Sequence, residues 1–408
     1  MKAKNVIIVG GGASGLVAAI SAARNGANVT IIEQKDRLGK KILSTGNGKC
    51  NLTNEYMEIE CFRGDDTSIV SKVLDKFGYK ETCQFFESLG VILKNRQGYI
   101  YPISDQATTI VDILCMEVEH LNVNVVLNES VVSVNRTKKG FMVKTNGNVY
   151  YAESVILATG GKASPVLGSD GSGYGIAKSF GHKISPVVPA LVQLQGKGNF
   201  FKNISGVRTN ATVSIYVDGE MLGKDTGELQ LTNYGISGIP VFQISRYAAK
   251  ALHQKKTVKA EIDFLPTMTM EELSNYMEQR KQLHLHKKMG EFFVGMFHSK
   301  LIDLFLKIAK VDNKTYVKDV MERQWQILLK LIKSFFVEIE GTNSFEQAQI
   351  CAGGVKTTEI NPDTLESLCE EGLYLTGELL DVDGICGGYN LQWAWATGFI
   401  AGENAAKG

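Results

Sequence analysis

Apolar residues in this chain come in short runs that end in glycine, and the runs alternate with stretches of helical period. Lys4 to Gly10 (KNVIIVG) reads as a buried strand. Leu16 to Asn25 carries small and apolar residues at helical spacing, and Gly26 marks its end. A second strand, Asn28 to Ile32, stops at Glu33. Val123 to Val134 and Gly140 to Val149 are predicted as strands, with an Asn-Gly hairpin turn at Asn146-Gly147. Another apolar run, Val155 to Ala158, leads into Thr159-Gly160-Gly161. Residues 191–217 alternate enough for strands and reach a turn at Asp218-Gly219. At Thr269 a Thr-x-x-Glu box with Glu272 opens a long helical stretch to about Phe336. The final segment is a short strand, Gly372 to Leu375. It is followed by a helix with small residues at Ala394, Ala396, Thr397, Gly398, Ala401 and Gly402. Strand–helix–strand order at the start predicts an α/β, Rossmann-like fold.

Length and composition narrow the class. A chain of 408 residues, 44% hydrophobic and 21% charged, has room for two or three domains and a large core. A formal charge of +1 provides no global field for nucleic acid or an anionic membrane. No apolar run reaches the roughly 18 residues a membrane helix needs. Met1-Lys2-Ala3-Lys4 runs directly into the first strand, without a signal-peptide pattern. The seven cysteines are odd in number and include no Cys-x-x-Cys pair. That argues against a disulfide framework, a dithiol redox pair or a thiolate zinc site, and suits a reducing, cytoplasmic setting.

The first turn carries specific chemistry. Gly10-Gly11-Gly12-Ala13-Ser14-Gly15 matches G-x-G-x-x-G between a strand and a helix. Gly10 permits the tight turn, Gly12 lets backbone approach a pyrophosphate, and Gly15 lets helix and strand pack. Ala13 and Ser14 begin a helix whose free N–H groups face the phosphates. Glu33, 23 residues after Gly10, stands where an acid accepts hydrogen bonds from an adenosine ribose. Residues 37–54 (RLGKKILSTGNGKCNLTN) favour FAD over NAD, because they suit an extended ribityl–phosphate chain. In this segment Gly39, Gly46 and Gly48 supply turns, Lys40 and Lys41 charge, and Ser44, Thr45 and Asn51 hydrogen bonds.

Later blocks fit the same cofactor. Thr159 and Gly160 end the strand that returns to the adenosine half, and the stretch at Val131 and Val132 is placed beside the adenine. Gly377-Glu378 is the Gly-acid pair expected at the ribityl hydroxyls. In Asp381 to Gln392 (DVDGICGGYNLQ), a glycine turn lets backbone approach the flavin edge. The following helix, starting near Tyr389, Asn390, Leu391 and Gln392, aims its N-terminus at the pyrimidine side of the ring. One of Asp381 and Asp383 belongs to that turn, and no metal is implied.

These blocks together resemble the BaiN-like bacterial flavoproteins, a family also described as NAD(P)/FAD-dependent or aminoacetone-oxidase-like. The resemblance rests on GGGASG at 10–15, GKKILSTGNGKCNLTN at 39–54, ATGG at 158–161 and GSDGSGYGIAKSFGH at 168–182. It extends through LTNYGISGIP at 231–240, CAGGV at 351–355 and GELLDVDGICGGYNLQWAWATGFIAG at 377–402. It implies an FAD domain from 1–190 and 345–408. It also implies a small β-barrel-like domain at 191–255 with a return at 334–344, and a helical insert at 256–333. Two positions depart from the family pattern: Asn233 where His is frequent, and Cys351 where Thr is common.

The activity implied is FAD-dependent hydride transfer to or from a small organic molecule. The preferred reading is reduction of a conjugated C=C in a 3-oxo bile acid or steroid-like enone. The alternatives are oxidation of a small amine such as aminoacetone, and a non-catalytic redox sensor. No second complete nucleotide fingerprint follows Gly171-x-Gly173-x-Gly175, so NADH or NADPH is expected as a transient donor only. No catalytic residue is assigned. Tyr234, Ser237 and Tyr389 are the candidate acids, because each lies in a glycine-rich block. His284-x-His286 reads as a solvated helix face. Neither a nucleic-acid nor a membrane partner is expected, and no oligomeric state is fixed.

Overall fold

A computed structural model describes residues 3–407. Met1, Lys2 and Gly408, the outermost positions of the two segments expected to form the FAD domain, lie outside the described residues. The chain divides into two compact units, one from 1–188 with 345–408, the other from 189–344.

The first unit is a Rossmann-like α/β layer. Strand β1 (Asn5–Val9) pairs in parallel with β2 (Asn28–Ile32) on one side and with Ser154–Leu157 on the other. Leu373–Leu375 and Asn124–Val126 extend the sheet at its two edges, also in parallel. Such a sheet must be covered on both faces. Helix α1 (Ala13–Arg24) covers one face and packs in turn on the closing helix, Tyr389–Lys407. That contact explains the small residues of the closing helix. A Cβ on Gly398 would come within 2.3 Å of Ser14 O, and one on Gly402 within 2.3 Å of Ala18 O.

Two strand expectations are corrected here. Residues 123–134 do not form one strand. Asn128 takes a left-handed φ of 59° and breaks the run. Asn124–Val126 then joins the parallel sheet, while Val131–Thr137 joins an antiparallel sheet with Gly140–Thr145 and Val149–Ala152. The Asn146-Gly147 turn lies inside the run expected to be one strand and connects Gly140–Thr145 to Val149–Ala152.

The second unit is built on a closed six-stranded barrel. Its strand order is Leu194–Gly196, Gly235–Gly238, Glu220–Leu231, Arg208–Val217, Val258–Asp263 and Phe335–Thr342. Alternation fills the interior: Val213, Ile215, Ala260, Ile262, Val337 and Ile339 are buried, while Lys259, Phe336 and Glu338 beside them are exposed. The 256–333 segment is therefore not wholly helical. In Val258–Asp263 (VKAEID) the period is two, which sends Val258, Ala260 and Ile262 inward. The helical stretch also ends earlier, at Lys333, and is broken into Met270–Leu283, Met289–Phe292, Ser299–Ala309 and Glu322–Lys333. Its start is fixed by the capping box, in which Thr269 Oγ1 accepts the Glu272 N–H at 3.2 Å and Glu272 Oε2 accepts the Thr269 N–H at 2.7 Å. Among the described residues no helix is long and apolar enough to cross a membrane.

Candidate functional site

Four segments distant in sequence meet in the first unit, and their glycines are the reason they can. A Cβ on Gly10 (φ 105°) would lie 2.5 Å from Ala158 O, so the first turn rests directly on the strand end at 158. A Cβ on Gly15 would lie 1.9 Å from Gly10 O, so only glycine lets α1 start there. The Gly39 N–H donates to Gly11 O at 2.8 Å and ties the 39–54 segment to the same turn. Gly377 sits against Ser14, its N–H donates to Thr397 Oγ1 at 2.9 Å, and its carbonyl accepts from Trp393 Nε1 at 3.1 Å.

Gly12 differs from its neighbours, because a Cβ there would meet nothing within 4 Å. It is also the N-cap of α1 and offers no side-chain cap, so the first N–H groups of that helix have no side-chain acceptor. Glu33 is buried beside this turn. Its Oε2 accepts the Gly11 N–H at 2.7 Å and its Oε1 accepts the Lys35 N–H at 2.8 Å. Each bond uses one lone pair per oxygen and fixes the carboxylate at the end of β2.

Asn51 Oδ1 and the Tyr174 hydroxyl are among the buried polar atoms with no hydrogen-bond partner among the described residues. Orphans of this kind are rare in a packed interior and call for a partner. Burial first, with the nearby acids Glu378 and Asp381 adding to it, holds the Tyr174 phenol well above its usual pKa, so it remains a donor. The same forces keep Cys351 protonated, with burial first and Glu378 second. An open Gly12, an uncapped helix start and orphaned polar atoms fit a phosphate-bearing, hydroxylated cofactor such as FAD.

Several expected side chains already hold protein partners. Lys41 Nζ pairs with Glu378 Oε2 at 2.8 Å, and Glu378 Oε1 accepts the Cys351 N–H at 2.7 Å. Lys40 pairs with Asp36 at 3.0 Å on the surface, and Ser44 Oγ donates to Lys41 O at 2.8 Å. Asn390 is occupied in both directions, with Oδ1 accepting the Gly384 N–H at 2.8 Å and Nδ2 donating to Gly384 O at 2.9 Å. Its amide therefore holds the glycine turn in shape. Gln392 is fully buried. Its Oε1 accepts from Thr53 at 2.7 Å and Thr82 at 2.8 Å, and its Nε2 donates to Phe77 O at 2.9 Å. Both oxygen lone pairs and one of the two amide hydrogens are thus taken by protein partners. Leu391 is half-buried at the helix start.

Val132 is exposed, and the ladder shifts register between Val131 and Ser133. It is the extra residue of a β-bulge, with no partner across to Gly140–Thr145. Thr159 and Gly160 sit under the helix Ser172–Ser179, where a Cβ on Gly173 would lie 2.0 Å from Thr159 Oγ1. Gly46 and Gly48 take positive φ on the exposed side of the 42–48 turn. Asp381 is buried and its Oδ2 accepts the Asp65 N–H at 3.3 Å.

The three candidate acids are divided between the two units. Tyr234 and Ser237 belong to the barrel unit, where the Tyr234 hydroxyl accepts from Asn343 Nδ2 at 3.0 Å. Tyr389 begins the closing helix of the first unit, buried edge-on to Phe62. The reading of residue types missed Tyr174, although it lies in the GSGYG run, and missed Thr53 and Thr82 as partners of Gln392.

Comparison with known proteins gives consistent findings. The family model described as "HI0933-like protein Rossmann domain" matches residues 4–404. A 3-dehydro-bile acid delta(4,6)-reductase of Clostridium scindens is 50% identical over 402 residues, 98% of each chain. A ribosomal RNA dihydrouridine synthase of Escherichia coli is 28% identical over 410 residues, 100% of each. Among solved structures, the open conformation of a flavocytochrome c3 fumarate reductase shares the fold. It has a TM-score of 0.51 and 18% identity, and the match covers 100% of this chain and 78% of that one.

Proposed function

The chain belongs to the HI0933-like Rossmann-domain family, and from that premise we propose that it is an FAD-dependent reductase of a conjugated enone in a 3-oxo bile acid or a similar planar steroid. The observation that carries this reading is the 50% identity, over nearly the whole of both chains, to a reductase of that substrate class. The chemistry agrees with the more distant relative. Dihydrouridine is uridine saturated at a C=C conjugated to a carbonyl, so both names describe one reaction type on different molecules.

FAD, when bound, supplies the two-electron chemistry that delivers hydride to the β-carbon of the enone. The protein's part is to bind and orient. Gly10, Gly12, Ala13, Ser14 and Gly15 would hold the pyrophosphate at the start of α1, and Glu33 the adenosine ribose. Asn51, Lys41 and Glu378 would meet the ribityl chain and its phosphates, and the start of the closing helix the pyrimidine side of the ring. The α-carbon needs a proton. Of the three candidate acids, Tyr389 is the one that lies in the FAD unit; burial and then Cys61 raise its phenol pKa, which keeps it protonated but makes it a weaker acid. The electron source is assigned to NADH or NADPH.

The test is anaerobic. Purified flavin-loaded protein is reduced with NADH or NADPH, and the flavin absorbance is followed as a 3-oxo-Δ4 or 3-oxo-Δ4,6 bile acid is added. Reoxidation with formation of the saturated product is expected. Reoxidation by uridine-containing RNA and not by the enone would move the chain to the second reaction, a reading that the Escherichia coli relative favours. The near-neutral charge weighs against it, because RNA affinity depends on phosphate neutralisation.

A further inference from the structure

His182, Glu359 and Cys369 form a cluster in the first unit that the FAD chemistry does not use. One ligand atom from each lies within 4.8 Å of the others. His182 Nδ1 is 3.1 Å from Glu359 Oε2 and 3.9 Å from Cys369 Sγ. A tetrahedral Zn²⁺ holds nitrogen and oxygen at about 2.0–2.2 Å and sulfur at roughly 2.3 Å, which sets its ligand atoms about 3.3–3.6 Å apart. These two separations bracket that spacing, and the third pair lies within 4.8 Å, so the three side chains would draw together around an ion.

The surroundings orient each ligand. His182 is buried, and its Nε2 is 2.8 Å from Ser367 Oγ. Metal at Nδ1 moves the ring proton to Nε2, where it would share Ser367 Oγ with the two backbone N–H groups that the serine already accepts. Ser367 Oγ also accepts the Cys369 and Glu370 N–H groups, each at 3.0 Å, which fixes the loop carrying Cys369. Glu359 Oε2 accepts the Lys183 N–H at 2.8 Å, so the carboxylate is held in place by the residue next to His182. Without metal, Nδ1–H occupies the position between ring and carboxylate. Cys369 is exposed, which leaves the fourth coordination position to water.

We propose that His182, Glu359 and Cys369 bind a divalent, thiolate-accepting metal ion, with Zn²⁺ the best match to the sulfur, nitrogen and oxygen donor set. The site joins a residue that precedes the inserted unit 189–344 to two that follow it. It would clamp the two parts of the FAD unit together. No sequence motif signals it, because the ligands are 177 and 187 residues apart.

The test uses the full-length flavin-loaded protein after chelator treatment. Zn²⁺ is titrated calorimetrically into wild type, C369S and the H284A/H286A double variant. Wild type and the double variant should bind one tight equivalent. C369S should bind it at least ~100-fold more weakly, and S367A, which removes only the outer partner, about 10-fold more weakly. Co²⁺ added to wild type should give intense visible bands of tetrahedral geometry beyond the flavin absorption. The proposal is overturned by no tight equivalent in wild type, by equal binding in C369S, by loss in H284A/H286A, or by a pale octahedral Co²⁺ spectrum. None of these readouts depends on enone turnover, so the outcome is separate from the proposed activity.

Discussion

Lys41 Nζ and Glu378 Oε2 stand 2.8 Å apart although 337 residues separate them in sequence. Both side chains are about three-quarters or more buried, so the pair is more than a surface contact. It joins the segment after β2 to the segment before the closing helix, the two regions assigned to the ribityl side of FAD.

A double-mutant cycle with K41M and E378Q should give a coupling of about 1 kcal/mol in the thermal stability of the FAD-free protein. Each single variant should also retain less FAD than wild type through purification. Full additivity of the stability effects would mean that the ion pair contributes nothing to holding the two segments together.

Gly12 and Gly15 should separate binding from folding. At Gly12 an added methyl meets no protein atom, so G12A should change stability by less than about 0.5 kcal/mol. The same methyl would fill the space assigned to the pyrophosphate and lower FAD affinity at least ~10-fold, about 1.4 kcal/mol. At Gly15 the methyl lies 1.9 Å from a backbone oxygen, so G15A should cost about 3 kcal/mol of stability or more. Thermal unfolding and fluorescence titration with FAD read the two quantities. Unchanged FAD binding by G12A counts against the placement of the cofactor.

Glu33 offers a direct check on the nucleotide. E33R removes the acceptor of the Gly11 and Lys35 N–H groups and places a positive charge where the ribose is assigned. Flavin content per chain, measured after denaturation, should fall at least ~10-fold. Wild-type content in E33R would remove Glu33 from the site.

Gln392 should behave as a structural hub. Q392L leaves the Thr53 and Thr82 hydroxyls and the Phe77 carbonyl without their partner in a fully buried place. At about 1–3 kcal/mol per stranded group, the chemical denaturation midpoint should drop by at least ~3 kcal/mol in equivalent stability. A midpoint equal to wild type would return Gln392 to the list of direct cofactor contacts.

The buried thiol of Cys50 predicts a pH dependence. Desolvation pushes its pKa up to about 12 from 9.0. The group is raised in the folded state, so its contribution is intact below pH 9 and declines as pH rises towards 12. Thermal unfolding midpoints measured across that range should fall, and should fall less in C50A. Cys50 should also resist alkylation at pH 8 until the protein unfolds.

The parts of the molecule that could be read in advance are those whose residue choice is set locally. Gly15 and Gly26 are dictated by a turn and a contact inside one β–α–β unit, and Gly10 by its own positive φ as well as by Ala158, so the first strand, helix and strand follow largely from their own sequence. Thr269 and Glu272 cap a helix three residues apart, and the residue types announce it. The commitments of Lys41, Asn390 and Gln392 were hidden for the opposite reason. Each side chain suits a ligand by type, but its partner is supplied by fold contacts, most of them hundreds of residues away. Val258–Asp263 was lost because a charged, alternating six-residue strand sits beside long helical stretches, and only closure of the barrel gives its inward residues something to pack on.

The closing helix that packs on α1 also sets an order of events during synthesis. Ser14 and Ala18 emerge from the ribosome early, while Gly398 and Gly402, the residues shaped to lie on them, are made more than 370 residues later. At about 5–20 residues per second, the first turn waits on the order of tens of seconds with one face of its helix uncovered. The inserted barrel unit is complete well before then. A ribosome-bound chain arrested before residue 389 should therefore present a folded barrel and an FAD unit unable to retain its cofactor.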